Sequence, residues 1–280
     1  MREFFAAPRR PAGTTEALRH MEDAVSPAAL ESDFQRGYGW RARIGMIVPG
    51  IVDETASKQF YRMAPAGVTL VKTSLSVREL TVDDVTTALA RVEDAARELG
   101  RRKVDCVILG GSPPVLVGGY GSDKLLAERV ERAAGVRACA AQTAAVEAMS
   151  VLGMRRLAVA TPFNDEFNAR LRDFLEQSGF TVCCIRSLGV QYQDLMRTPL
   201  QAGYELGKQC FADAADADGI YFPGAPFPIV DVIESLEREL STSVVTSLQA
   251  SLWKGLALAG AAVPIRGFGR LLWERRDHRS

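Results

Sequence analysis

The sequence predicts an α/β protein built from two pseudo-symmetric parallel-sheet lobes, and three observations support this fold class. Short apolar segments alternate with amphipathic helical segments from residue 43 onward, a pattern typical of parallel α/β layers. The 280 residues, 47% hydrophobic and 24% charged, are enough for two ordinary globular domains. Finally, Asp105–Pro113 aligns without a gap on Asp218–Pro226, which indicates two similar halves.

The first lobe is predicted over residues 43–142, after an N-terminal arm over residues 1–42. The arm is rich in proline and mixed charge, and it is either a tail or a contact between subunits of a homo-oligomer; both interpretations stay open. Within the lobe, an amphipathic helix is predicted over Asp83–Leu99, with Gly100 as its stop. The other elements are strands over 43–48, 68–73, 104–109 and 136–140, and helices from about Asp53 and over 123–134.

The second lobe is predicted over residues 143–280 and repeats the alternation of strand and helix. Its last segment, residues 266–272, is expected to return and pack on the sheet. The predicted strands are 156–160, 181–187, a strand at Ile220, and 244–245; the predicted helices are 143–152, 164–175, 199–215, 230–240 and 247–258.

The strand over 104–109 leads directly into a loop of glycine, serine and proline, Gly110–Pro114. In open α/β sheets, ligands bind in the crevice beyond the carboxyl ends of the strands, where glycines let them approach the backbone. Gly111 in this loop and Gly224 in the aligned loop are therefore expected to mark a ligand site. A turn that needs positive φ would select glycine equally well.

Composition excludes several classes of function. Basic and acidic residues both number 34, so the formal net charge is zero and we expect no nucleic-acid partner. No apolar run approaches the roughly 20 residues of a membrane-spanning helix, and the first 43 residues lack an apolar signal core. We therefore expect a cytoplasmic protein with no membrane partner.

The cysteines and histidines argue against a metal site. The cysteines are odd in number and lack CxxC spacing, so we expect reduced, structural thiols. The two histidines, His20 and His278, both lie near the termini, so no metal is expected. The five cysteines are Cys106, Cys139, Cys183, Cys184 and Cys210.

Five motifs, in this order and spacing, resemble the aspartate/glutamate racemase superfamily, and within it the arylmalonate decarboxylase and maleate isomerase branch. They are IGMIVP at 44–49, LGMRRLAVATPFNDEFNARLRDFL at 152–175, RSLGV at 186–190, DGIYFPG at 218–224 and GFGRLL at 267–272. The resemblance implies two α/β lobes with the active site in the cleft between them, a small carboxylate substrate, and no metal or organic cofactor. It also implies that the two acid–base cysteines of the family fall at Gly111 and Gly224, so both are replaced by glycine.

The resemblance and the strand ends together give the candidate site. Ser112 and Asp53 are the candidate catalytic residues: Ser112 as an anion-binding hydroxyl, Asp53 as a carboxylate general base. A serine satisfying its own loop, and an aspartate capping a helix, are the structural alternatives. Asn164 faces the same choice, with capping favoured. The candidate substrate-binding residues are Pro49, Gly50, Gly111, Ser112, Phe163, Asn164, Gly224 and Ala225.

These observations favour a cofactor-independent lyase or isomerase acting on a small, possibly aryl- or alkyl-substituted, carboxylate through an enediolate-like intermediate. Loss of both cysteines does not forbid such a reaction, because backbone donors and an apolar pocket can drive carbon–carbon cleavage. The alternative is a non-catalytic carboxylate-binding or regulatory protein on the same scaffold.

Overall fold

The computed structural model describes residues 36–50, 54–190 and 192–274 of the chain. Most of the predicted N-terminal arm lies outside these residues, and so does the candidate base Asp53. None of the helices within these three ranges is long and apolar enough to cross a bilayer.

Two four-stranded parallel sheets form the framework, and they share one strand order. The first sheet runs β2-β1-β3-β4 and the second runs β6-β5-β7-β8, so the first two strands of each half lie in equivalent places. This arrangement confirms the predicted α/β fold class with two similar sheets. The strands are β1 (Ala42–Gly50), β2 (Val68–Val77), β3 (Cys106–Leu109), β4 (Ala138–Ala140), β5 (Arg156–Thr161), β6 (Thr181–Ser187), β7 (Gly219–Phe222) and β8 (Ser243–Thr246).

Helices connect the strands and cover both sheets. The helices are α1 (Glu54–Met63), α2 (Val82–Leu89), α3 (Val92–Arg101), α4 (Pro113–Leu116), α5 (Ser122–Ala134), α6 (Ala141–Val151), α7 (Asp165–Gln177), α8 (Leu200–Asp213), α9 (Ile233–Leu240), α10 (Ser247–Leu258) and α11 (Arg270–Trp273). Two short 3-10 helices span Tyr192–Arg197 and Val230–Val232. The second of these precedes α9, where a single helix over 230–240 is predicted.

The predicted helix over 83–99 is wrong in two respects, and the first is that it is two helices, α2 and α3. Between them the Ala90 and Arg91 amides bond to carbonyls three residues earlier rather than four. The Arg91 guanidinium donates to the Leu75 carbonyl at the end of β2. Gly100 is not the stop: it lies inside α3, where a Cβ would come within 2.3 Å of the Ala134 carbonyl oxygen. The chain turns away two residues after the helix, at Lys103, whose φ is +55°.

The two halves interlock through α10. A Cβ at Gly255 of this helix would meet the Ile44 side chain of β1 at 3.1 Å, and the Cys106 thiol of β3 donates to the Gly255 carbonyl at 3.4 Å. A helix that follows the last strand of the second sheet therefore packs on the first sheet. Close packing of this kind fixes the spacing of the strand ends that face each other between the lobes.

The closing segment packs back on the second sheet, as predicted. Leu271 and Leu272 are buried. The buried Glu237 carboxylate accepts hydrogen bonds from the Val244 amide of β8 at 3.1 Å and from the Arg270 amide at 2.9 Å. This carboxylate therefore joins α9, β8 and α11.

Candidate active site between the lobes

An apolar cavity of about 30 Å³ lies where the carboxyl ends of β1, β3, β5 and β7 meet. The space is narrow but is not sealed from its surroundings. The cavity is lined by Met46, Val48, Pro49, Gly50, Gly110, Gly111, Pro113, Phe163, Leu195, Gly224, Ala225 and Pro226. None of these side chains ionises, so the described lining offers a substrate only apolar surface and backbone groups.

Gly111 and Gly224 occupy equivalent places in the two halves, and both need to be glycine. Their φ angles are +78° and +91°. A Cβ at Gly111 would lie 2.6 Å from Cγ of Pro49, and one at Gly224 would lie 2.9 Å from Cγ of Pro162. Each loop thus packs against the proline that ends or follows the neighbouring strand, and neither has room for a side chain as it stands.

The same loops carry backbone donors. The amides of Gly111, Ser112, Gly224 and Ala225 have no hydrogen-bond partner among the described residues. In the first loop, Gly111 is left-handed, whereas Ser112 is right-handed at φ −76° and ψ −38°. Alternating handedness of this kind turns successive N–H groups toward one side and forms a concave anion-binding nest. The first loop is therefore suited to a carboxylate oxygen.

Helix α1 of the first lobe holds the second loop in place. The buried Gln59 amide donates to the Phe227 carbonyl at 3.1 Å, and its carbonyl oxygen accepts from the Ile229 and Val230 amides at 2.9 and 3.1 Å. The Thr55 hydroxyl donates to the Pro226 carbonyl at 2.8 Å. Because α1 belongs to one lobe and the loop to the other, these bonds couple the cavity wall to the contact between lobes.

Six of the predicted substrate-binding residues are brought together around the cavity, and two are not. Ser112 and Asn164 do not contribute to the lining. Asn164 caps α7, its side-chain oxygen accepting from the Phe167 amide at 3.0 Å, so the favoured capping interpretation is confirmed. The six that line the cavity are Pro49, Gly50, Gly111, Phe163, Gly224 and Ala225.

Asn164 faces an open surface groove rather than the cavity. This groove runs between the Glu79–Thr81 segment of the first lobe and the Pro162–Asp165 and Ser187–Val190 segments of the second. Phe163 lines both the groove and the cavity, so this residue lies between the two spaces.

Ser112 is fully buried, and its hydroxyl belongs to a group of polar side chains that sequence reasoning missed. The Tyr221 hydroxyl of β7 donates to the Gln142 side-chain oxygen at 3.3 Å, and it interacts electrostatically with the nearby Ser112 and Ser247 hydroxyls. All four residues are 0% exposed. A tyrosine in an otherwise apolar buried strand needs a polar partner, and that was the available signal.

Burial controls the protonation of the nearby titratable groups. It raises the pKa of the Tyr221 hydroxyl above its ordinary range. Burial also raises the pKa of the Cys106 thiol to about 12 and that of the Cys139 thiol to about 12. Thiols that stay protonated are poor nucleophiles. All five cysteines are free, as predicted, and the described residues contain no cluster of potential metal ligands.

Comparison with known proteins identifies relatives along most of the chain. The sequence model of the arylmalonate decarboxylase family matches residues 44–272. The arylmalonate decarboxylase of Bordetella bronchiseptica is 29% identical over 236 residues, which cover 82% of this chain and 96% of that protein. The maleate isomerase of Nocardia farcinica is 24% identical over 246 residues, covering 82% and 95%.

Solved structures agree with these matches. A liganded crystal structure of arylmalonate decarboxylase, in which a glycine is changed to cysteine and a cysteine to serine, superposes with a TM-score of 0.78 at 28% identity. It covers 82% of this chain and 98% of that one. The maleate isomerase of Pseudomonas putida S16 with maleate has a TM-score of 0.76 at 19% identity, covering 82% and 97%, and shows the shared fold.

Proposed function

The chain belongs to the arylmalonate decarboxylase family of decarboxylase- and isomerase-like enzymes, and from that premise we propose the reaction that its site carries out. The proposed activity is cofactor-independent lyase or isomerase chemistry on a small carboxylate, of which a substituted malonate is the best fit. The reaction passes through an enediolate-like intermediate, formed when a carbon–carbon bond breaks and its electron pair moves into the remaining carboxylate. Reduced, free cysteines support a cytoplasmic location.

The observation that carries this proposal is the pair of glycine loops at an apolar cavity. The amides of Gly111, Ser112, Gly224 and Ala225, which lack a partner among the described residues, are suited to a carboxylate and to the greater negative charge of an enediolate. The carboxylate that remains in the product is the group that these donors bind. The apolar lining solvates a second carboxylate poorly, which favours its departure as uncharged carbon dioxide.

The proton cannot come from the family's usual thiols. By resemblance, their positions are Gly111 and Gly224, and a Cβ at either would collide with a proline ring. We therefore propose Ser112 and Asp53 as the residues that handle the proton. We further propose that Pro49, Gly50, Phe163 and Ala225 shape the substrate pocket, as part of the set predicted to bind substrate.

The test is incubation of the purified protein with a panel of substituted malonates and maleate in deuterated water, followed by mass spectrometry. The expected result is loss of carbon dioxide from a malonate and one deuterium at the carbon beside the remaining carboxylate. Thermal stabilisation by these acids without any turnover would contradict the proposal and identify a carboxylate-binding protein instead.

A double variant tests the residue assignments. Ser112→Ala with Asp53→Asn is expected to lower the decarboxylation rate by about 10²-fold or more, the usual contribution of proton transfer by a positioned side chain. Asp173→Asn, on the exposed face of α7, makes the same aspartate-to-asparagine change away from the cavity and is the matched control. Full activity in the double variant would eliminate both assignments.

A further inference from the structure

Four buried side chains form a hydroxyl cluster beside the first glycine loop: Tyr221, Ser112, Gln142 and Ser247. They come from both lobes, and each is 0% exposed. The Tyr221 oxygen is the common point, because it donates to Gln142 and interacts electrostatically with both nearby serine hydroxyls. A titratable group therefore lies in the interior next to a loop that lines the cavity.

Three polar side-chain atoms of the hydroxyl cluster lack a hydrogen-bond partner among the described residues. Ser112 Oγ, Gln142 Nε2 and Ser247 Oγ are buried and make no well-directed hydrogen bond to any described residue. A buried polar atom without a partner lowers stability, and most buried polar atoms in native proteins are satisfied. Three of them around one tyrosine are unfavourable for stability, so packing alone does not account for the cluster.

The electrostatic surroundings suit a hydroxyl that releases a proton and takes it back. Gln142 and Ser247 lie in the first turns of α6 and α10, helices of 11 and 12 residues. The positive end of a helix dipole stabilises negative charge on an oxygen close to it. Burial acts in the opposite direction and keeps the Tyr221 hydroxyl protonated at rest. The group thus holds its proton until a stronger base draws it away.

We propose that Tyr221 supplies, through Ser112, the proton that completes the reaction; the inference rests on the proposed function. When the carbon–carbon bond of a malonate breaks, carbon dioxide leaves and the electron pair enters the enediolate. The Ser112 hydroxyl gives its proton to the α-carbon and the Tyr221 hydroxyl reprotonates Ser112; after the product leaves, water that enters the cavity returns a proton to Tyr221 through Ser112. The net change is one malonate dianion and one proton converted to one monocarboxylate and one carbon dioxide.

The position of Ser112 makes it the connection between the hydroxyl cluster and the cavity. It directly follows Gly111, which lines the cavity, and precedes Pro113, which also lines it. Its hydroxyl does not cap α4 and has no directed partner, so rotation about one side-chain bond is not opposed by a hydrogen bond. Tyr221 acts through Ser112 and is a positioning residue, whereas Ser112 reaches the substrate when its hydroxyl turns toward the cavity.

The decisive experiment compares Tyr221→Phe with the parent protein on an α-aryl-α-alkyl malonate, whose product is chiral. We expect kcat to fall by about 10²-fold, with KM changed less than about threefold, and the product to change from one enantiomer toward a racemate. A purely structural role would not affect stereochemistry. Tyr204→Phe, which removes a hydroxyl bonded to Glu239 at the surface, is the matched control and should match the parent.

A second pair of variants covers the case in which Tyr221→Phe does not fold. Ser112→Ala should lose rate and stereochemical preference, and Ser112→Thr, which keeps a hydroxyl, should recover part of both. A parent protein that produces one enantiomer, with Tyr221→Phe or Ser112→Ala doing the same at full rate, would overturn the inference and leave the proposed function intact. A parent protein with no turnover of any malonate would overturn both.

Discussion

The fit of Gly224 against Pro162 predicts a stability loss that is separable from backbone strain. Gly224 and Gly179 have the same φ of +91°, but a Cβ at Gly179 would have no neighbour within 4 Å, whereas one at Gly224 would lie 2.9 Å from Cγ of Pro162. Alanine at either position has a left-handed backbone that costs about 1–2 kcal/mol. Only Gly224→Ala adds overpacking, which costs about 1–3 kcal/mol more. We therefore expect about 1–2 kcal/mol for Gly179→Ala and about 2–5 kcal/mol for Gly224→Ala.

The other loop provides an independent repeat of this comparison. Gly111 has a φ of +78° and would bring a Cβ within 2.6 Å of Cγ of Pro49, while Gly153 has a φ of +76° and no neighbour within 4 Å. Because the predicted overlap is larger than at Gly224, the excess cost of Gly111→Ala over Gly153→Ala should be at least as large. The two pairs together test whether the loops are built alike.

The assay is urea-induced unfolding of the four variants and the parent, monitored by circular dichroism and analysed by linear extrapolation. Equal m-values across the set would show that only stability has changed. If Gly224→Ala loses no more free energy of unfolding than Gly179→Ala, the proline ring yields freely. The steric argument against a side chain in this loop would then be refuted, together with our explanation for the missing thiol.

Three further predictions concern the surroundings of the site. Gln59→Ala should lower the free energy of unfolding by about 2–4 kcal/mol in urea titrations and raise KM, because it leaves several buried backbone groups of the second loop without partners. The control is Gln177→Ala on the exposed face of α7. Burial raises the pKa of Glu237 in the folded protein, so the stabilisation from its protonated carboxyl is full below the ordinary pKa of glutamate and is lost as pH rises through the raised pKa. In Glu237→Gln, this pH-dependent part of the free energy of unfolding should disappear from a stability-versus-pH curve. A curve identical to that of the parent protein would contradict the prediction. Iodoacetamide at neutral pH should leave Cys106 and Cys139 unmodified in peptide maps and should leave the activity unchanged. Modification of either thiol in step with loss of activity would show that this thiol takes part in catalysis.

Local sequence patterns predicted what is locally determined. The bounds of β6 and α10 agree with expectation because a periodic apolar run is bordered by turn or capping residues within a few positions. The break between α2 and α3 was missed because it depends on Arg91 reaching the Leu75 carbonyl of β2, a contact between different elements. No periodicity records a partner of that kind.

The candidate site divides in the same way. The glycine loops and Phe163 were predicted from strand ends and resemblance, and they do line one cavity. The buried direction of Ser112 was not predicted, because it depends on Tyr221, which is more than a hundred residues away along the chain. A polar atom in a buried strand indicates that it has a hydrogen-bond partner, but only the packing of the two lobes identifies that partner.

The repeat that makes the halves alike also shows where they differ. Both loops have a left-handed glycine packed on a proline ring, yet the residue after the glycine is Ser112 in the first and Ala225 in the second. Backbone donors are therefore present on both sides of the cavity, while a side-chain hydroxyl follows the glycine on one side alone. When the lining holds the two substituents of the α-carbon in fixed places, a proton from the Ser112 side reaches only one face of that carbon. The asymmetry of these two residues is the reason to expect a product of one hand.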